Sequence, residues 1–249
     1  MDSNGSMIEK MEKHIKKEQS ELLVDYANFL IETGNKSIAE NGRFNLVLSG
    51  GSSPKALFTL LTRDEYREQL DWQKVYFFFG DERYVPAEDA DYNGLMAQNY
   101  LFEPLGIAAP QIFLVNTALA PEACAADYEK RIGEHFGEAQ WRFDFMMLGM
   151  GGDAHTASLF PGTSILPVQE VGVRAVLIKP EVWRISMTAA LINQSKEVAF
   201  LTFGESKAEA LHHVWEGEYN PNMYPSQLIK PLDGHLHWFV DEAAAASMP

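Results

Sequence analysis

The sequence predicts an α/β fold, a mainly parallel sheet covered by helices on both faces. Short, largely apolar runs recur at Phe44–Leu48, Val75–Phe79, Phe143–Leu148, interrupted only by Asp144, and Val198–Phe203. Such runs read as strands buried on both faces. Each meets glycine at or just beyond its carboxyl end, at Gly50-Gly51, Gly80, Gly149 and Gly204. Helical patterns separate the runs, and strands alternating with helices imply parallel pairing.

In chain order, apolar residues at Leu22, Leu23, Tyr26, Phe29 and Leu30 predict a long helix over Met7–Ile31 with a frayed start. Ser37–Asn41 leads to Gly42, which suits a helix stop. After the strand Phe44–Leu48, Ser53 suits an N-cap and Pro54 a first helical position. The strand Val75–Phe79 runs into Gly80-Asp81-Glu82-Arg83, and Tyr84–Tyr92 reads as a loop. Asn93–Phe102 reads as helix, Ile112–Val115 as a short strand and Pro121–Phe136 as an amphipathic helix. Phe143–Leu148 leads into Gly149, Gly151 and Gly152, and Thr156–Phe160 is expected to begin a helix. Val173–Ile178 and the alternating Trp183–Thr188 read as strands, with a brief helix over Ala189–Asn193. A helix opens at Glu205 after Val198–Phe203. Leu236–Val240 is a last strand, and Asp241–Ala246 a terminal helical turn. No linker or repeat divides the chain, so a single domain over residues 7–249 is expected, with a small subdomain near residues 163–190. Met1–Ser6 are polar and compatible with a cloning remnant, which would place the natural start at Met7.

The chain has 249 residues, 46% of them hydrophobic and 22% charged, which is ample for a packed core. No apolar run approaches the roughly 20 residues of a membrane helix, and the amino terminus lacks an apolar signal core. Cys124 is the only cysteine, which excludes an internal disulfide or a multi-thiolate zinc site and favours a reduced cytoplasmic home. A formal net charge of -15 argues against nucleic-acid or acidic-membrane partners. An acidic protein binds a phosphorylated ligand only where its few cations converge.

Asp153 and His155 arrive together where a buried strand ends, and ligands of open α/β sheets sit outside the carboxyl ends of strands. An imidazole has an ordinary pKa near 6.5 and serves as a general base at neutral pH. With no cysteine or fuller metal-ligand set beside it, water is the natural nucleophile. Ser158 leaves a Ser–His pair open, although no G-x-S-x-G elbow surrounds it. Three cations stand near predicted strand ends: Arg83, Arg184 and Lys207. Lys207 lies just inside a helix start, where a cation is unfavourable unless an anion is bound. Arginine suits phosphate through its planar fork. The junction at Gly50, Gly51, Ser52 and Ser53 would add unpaired N–H groups at a helix start, although a plain βα turn uses the same residues. Asp153-x-His155 and His235-x-His237 each lack the fuller ligand set of a metal site, so no metal or cofactor is expected. His235 and His237 read as ordinary surface or packed residues.

Taken together and in order, GGSSP, FFGDERYVP, DYN, LGMGGDAHTASLFPG, WRISMT, LTFGESKAEAL and YPSQLIKP resemble the 6-phosphogluconolactonase family. The resemblance runs from about residue 22 to 246, and HTASLFPG is its most specific part. It implies a modified Rossmann-like sheet, similar to that of glucosamine-6-phosphate deaminases. It also implies metal-free hydrolysis of 6-phospho-D-glucono-1,5-lactone in the oxidative pentose phosphate pathway. By the resemblance His155 activates water, Asp153 orients the sugar or the imidazole, and Asp81 lines the pocket. The glycine junction with Ser52, Ser53, Arg83, Arg184 and Lys207 would hold phosphate and sugar. Ala154 departs from the usual glycine, a strain on the order of 1 kcal/mol if the position needs positive φ. Ser-Ser replaces the commoner Ser-Thr and keeps the hydroxyl.

Two rivals remain. A deaminase of the same fold carries a glutamate a few residues after the motif histidine, and Ser158-Leu159-Phe160-Pro161 supplies none. A catalytically inert sugar-phosphate sensor would use the same pocket without turnover. The expected partner is a small phosphorylated sugar lactone, the expected assembly a monomer or homodimer.

Overall fold

A computed structural model describes residues 11–247; the expectations for Met1–Ser6 and Met7 lie outside them. The strands are β1 (Met11–Lys16), β2 (Phe44–Leu48), β3 (Val75–Phe79), β4 (Asp81–Arg83), β5 (Phe145–Leu148), β6 (Val173–Lys179), β7 (Val182–Met187), β8 (Glu197–Thr202) and β9 (His235–Asp241). The main helices are α1 (Gln19–Asn41), α2 (Ser52–Leu61), α3 (Pro121–Phe136) and α4 (Ala208–Glu216). Six strands form one sheet in the order β1-β9-β8-β5-β2-β3, parallel throughout. β4, β7 and β6 form a second, antiparallel sheet of three strands. It joins residues 173–187 to the chain just after β3.

Strand side chains alternate between faces, and the core divides accordingly. Val47, Phe78, Met146, Leu148, Phe200 and Trp238 pack with Tyr128 and Ile132 of α3 and Leu211 of α4. Their neighbours Leu46, Phe77, Phe145, Met147, Leu201 and Phe239 pack with Tyr26 and Leu30 of α1 and Leu57 and Phe58 of α2. Largely apolar runs were therefore the right signal: each strand feeds two cores at once. The expected α/β class with a mainly parallel sheet holds. Among the described residues no helix is long and apolar enough to cross a membrane.

Several local expectations need correction. Met11–Lys16 is an edge strand, not the start of α1, because its backbone pairs along β9 from Met11 with Leu236 to Lys16 with Asp241. Its lysines suit an edge, where charge deters further pairing. α2 begins at Ser52 with Gly51 as N-cap, so Ser53 is inside the helix rather than its cap. Ile112 makes only an isolated bridge to Phe77, not a strand. Thr156–Phe160 is a turn, since Ala154 and Ala157 adopt φ of 60° and 47°, which a right-handed helix cannot include. Asp241–Ala246 ends β9 in turns rather than a helical one.

Candidate active site

The carboxyl ends of β2, β3, β5 and β8 open onto one cleft of about 450 Å³. From β2 the chain continues to β3 on one side; from β5 it continues to β8 on the other. The gap between β2 and β5 is thus a switch point, where ligands of open α/β sheets bind. Gly50, Gly51, Ser52 and Ser53 line the cleft from the β2 side, and Gly151 and His155 from the β5 side. Asp81, Arg83 and Lys207 line it as well.

The β2 turn explains its glycines. Gly51 has φ 110° and no side chain caps the N–H groups that follow it. Those N–H groups and the helix dipole offer an anion a binding point at Ser52 and Ser53. A Cβ at Gly151 would collide with the His155 ring and the Asp153 carboxylate, so this turn packs directly against the dyad.

Asp153 Oδ1 accepts from His155 Nδ1 at 2.5 Å and from the His155 amide at 3.2 Å. With Nδ1 carrying its proton toward the carboxylate, Nε2 keeps a lone pair. The ring stacks on Phe160, centroids 4.0 Å apart and planes 19° apart, which fixes its orientation. Asp153 stands behind the imidazole and does not itself line the cleft. Burial would raise its pKa, but the hydrogen bond and charge of His155 outweigh burial and hold it below the ordinary carboxylate range.

Ala154, between them, has φ 60° and is fully buried. The left-handed conformation costs a non-glycine residue about 1–2 kcal/mol. Its carbonyl accepts from the Ser226 amide at 3.0 Å and hydroxyl at 2.7 Å, which ties the dyad loop to the YPSQ segment. The strain anticipated from alanine at this position is therefore present, and these bonds restrain it.

Ser158 forms no pair with His155. It is fully buried, and its hydroxyl donates to Asp81 Oδ2 at 2.5 Å. That bond turns Asp81 toward the cleft. Beneath it, Glu82 is fully buried and accepts from the Arg83, Asn93 and Gly94 amides at 2.7–2.9 Å. Burial pushes Glu82 up to about 8 against those three donors. Asn93 donates to the Asp81 carbonyl at 3.1 Å. Sequence reasoning did not assign Glu82, Asn93 or Ser158 these supporting roles; the DYN and GDER motifs marked two of them without revealing why.

Arg83 and Lys207 line the cleft, whereas Arg184 does not. Arg184 is register partner to Arg83 across β4 and β7. Burial and the Arg83 charge lower its pKa, in that order. Arg83 donates to the Asp91 carbonyl at 3.2 Å and Arg184 to its neighbour Trp183 at 3.4 Å. Among the described residues, no carboxylate salt bridge engages Arg83, Arg184 or Lys207, although ion pairs occupy many other cations. Two adjacent arginines without a carboxylate partner, in a protein of charge -15, suit an anionic ligand.

Comparison with known proteins gives a consistent result. A family model described as glucosamine-6-phosphate isomerases/6-phosphogluconolactonase matches residues 17–238. A 6-phosphogluconolactonase of Synechocystis is 36% identical over 235 residues, covering 92% of this chain and 95% of that protein. One from Haemophilus influenzae is 35% identical over 204 residues, covering 82% and 87%. The solved 6-phosphogluconolactonase of Trypanosoma cruzi superposes with a TM-score of 0.85 at 26% identity, covering 96% of this chain and 97% of that one. A monomeric glucosamine-6-phosphate deaminase superposes at 0.79 with 22% identity, a likeness of fold. The chain belongs to the glucosamine-6-phosphate isomerase/6-phosphogluconolactonase family.

Proposed function

We propose that the protein hydrolyses 6-phospho-D-glucono-1,5-lactone to 6-phosphogluconate, with His155 as general base. The observation that carries this reading is that His155, Arg83, Lys207 and the α2 amino terminus line one cleft of about 450 Å³, the scale of a single phosphorylated sugar. The curated relatives above bear the activity in their names.

His155 Nε2 takes a proton from water as the water oxygen bonds to the lactone carbonyl carbon. The carbonyl becomes an oxyanion. As it collapses, the bond from that carbon to the ring oxygen breaks. The imidazolium gives its proton to the departing oxygen, which becomes the hydroxyl of the open acid. Asp153 holds the ring tautomer and offsets the imidazolium charge. Arg83, Lys207 and the Ser52 and Ser53 amides hold the phosphate, with Arg184 adding charge beside Arg83. Asp81, aimed by Ser158, accepts from sugar hydroxyls. General-base help accounts for about 10²–10⁴ in rate, and positioning must supply the remainder.

A single globular unit over residues 7–249 suffices for this chemistry, as monomer or homodimer. The cytoplasm suits Cys124, which is buried and whose thiol burial pushes up to about 11. Some plant relatives are named chloroplastic.

The test is a coupled assay on freshly generated lactone, corrected for spontaneous hydrolysis. Turnover that falls by 10²-fold or more in His155→Gln is expected. A wild-type protein no faster than background refutes the activity, and an unchanged kcat in the variant removes His155 from the mechanism.

A further inference from the structure

A group of donors outside the cleft lining gathers on the sheet edge. Glu12 and His14 lie on β1 and His237 on β9, and Glu12 is the register partner of His237. Alternate residues of a strand share a face, so His14 projects beside Glu12 on the side covered by α1. Phe239 stacks on His14 at 4.1 Å, and Phe29 of α1 lies 4.4 Å from the His237 ring. These rings hold both imidazoles in place. Their donor atoms converge: His14 Nε2 is 3.3 Å from His237 Nδ1, and Glu12 Oε2 is 3.8 Å and 3.7 Å from them.

We propose that Glu12, His14 and His237 form a binding site for a divalent transition metal of the zinc type, which fastens β1 to the sheet. The nearest point equidistant from the three donor atoms lies about 2.1 Å from each, close to the zinc–nitrogen and zinc–oxygen distances of about 2.0–2.2 Å. The second shell is also in place. His237 Nε2 is bonded to Glu197 Oε2 at 2.9 Å, so with its proton there Nδ1 is left as the ligand atom. Metal-bound histidines characteristically use their other nitrogen in this way. Two imidazoles with one carboxylate select zinc, cobalt or nickel over calcium or magnesium, which prefer all-oxygen sets. His237 is buried, His14 half-buried and Glu12 exposed, which gives the ion an entry path and leaves a coordination position for water.

None of these three residues lines the catalytic cleft. Glu12 and His14 lie on the edge strand β1 and His237 in the amino-terminal half of β9, whereas the cleft opens at carboxyl ends of β2, β3, β5 and β8. The metal therefore acts on stability and not on the hydrolytic step, and the inference stands apart from the proposed activity.

The experiment uses the full chain, stripped with chelator and dialysed. Titration with zinc chloride, followed by calorimetry, is expected to show one equivalent bound. The melting temperature should rise by roughly 5–10 °C when free zinc exceeds Kd a hundredfold. Cobalt chloride should give the intense visible bands of a four-coordinate site. Glu12→Gln and His14→Gln, both outside the core, should abolish the bands and weaken zinc at least tenfold. Glu197→Gln should retain the bands while weakening zinc about 10–100-fold, as loss of a histidine's second-shell carboxylate does. The proposal is overturned if no saturable binding occurs. It is equally overturned if His14→Gln binds zinc like the parent, or if binding disappears only in His155→Gln.

Discussion

Replacing Asp153 with asparagine separates the carboxylate's charge from its geometry. Asp153 Oδ1 accepts from the His155 ring at 2.5 Å and from the His155 amide at 3.2 Å. An asparagine Oδ1 in the same place can accept both, so the ring keeps its tautomer and its Nε2 lone pair. What disappears, in the proposed mechanism, is the negative charge facing the imidazolium that forms when water is deprotonated. Unit charges about 4 Å apart interact by about 1 kcal/mol in bulk water and about 4 kcal/mol at an effective dielectric constant of 20. The side chains of His155 and Asp153 retain 29% and 50% of their exposure, so solvent screens the pair. An intermediate value of about 2 kcal/mol follows, which is about 30-fold in kcat. His155→Gln removes the proposed base and should cost about 10²–10⁴. The assay is the initial rate of lactone hydrolysis, background subtracted, for the parent, both single variants and the double variant. KM should change little, because neither group is assigned to the phosphate. The carboxylate acts only through the ring, so the double variant should match His155→Gln alone. A fully active Asp153→Asn, or a double variant a further 30-fold slower, would refute the dyad.

Removing the cations tests the anion site. Lys207→Ala and Arg83→Ala should raise KM for the phosphorylated lactone by about 10–150-fold, the worth of a charge-assisted hydrogen bond. Arg184→Ala should do less, since it acts beside Arg83 rather than in the cleft. An unphosphorylated lactone should be nearly indifferent, and equal losses on both substrates would remove the phosphate from these residues. Ser158→Ala should lower unfolding stability by about 1–3 kcal/mol in urea titration, because it leaves the Asp81 carboxylate without its buried donor; unchanged stability would show the bond to be inconsequential. For Glu82, burial raises the folded pKa from 4.5 to about 8. The folded state then holds a proton that the unfolded chain releases, so stability is fully present below about pH 4.5 and declines as pH rises toward 8. The decline is at most about 4–5 kcal/mol. Urea midpoints at pH 5 and pH 8 should differ in that direction, and Glu82→Gln should flatten the difference; a parent protein equally stable at both would place an ionised carboxylate in the core.

What was legible in the sequence depended on local signals, and what was hidden depended on partners far along the chain. Val75–Phe79 reads as a strand because every residue must be apolar when both faces are covered, and the packing into two cores bears this out. Gly151-Gly152-Asp153 next to His155 is legible because a strand end, a glycine turn and two titratable groups are contiguous. Met11–Lys16 is different. Its six residues hold only Met11 and Ile15 as aliphatic anchors, and its conformation is set by β9, 223 positions away at the His14–His237 contact. Read locally it extends the following helix, and the gathering of Glu12 and His14 around His237 then cannot be seen. Ala154 and Ala157 mislead in the opposite way. Alanine is the best helix former, yet the bonds from Ser226 hold Ala154 left-handed and end any helix there. Arg184 shows the limit most clearly. Motif reasoning could assemble three cations, but only the folded cleft shows that Arg83 and Lys207 line it while Arg184, opposite Arg83 across β4 and β7, stands beside it. Residue types in a motif specify which chemistry is available, while the register of remote strands decides which of those groups can touch the ligand.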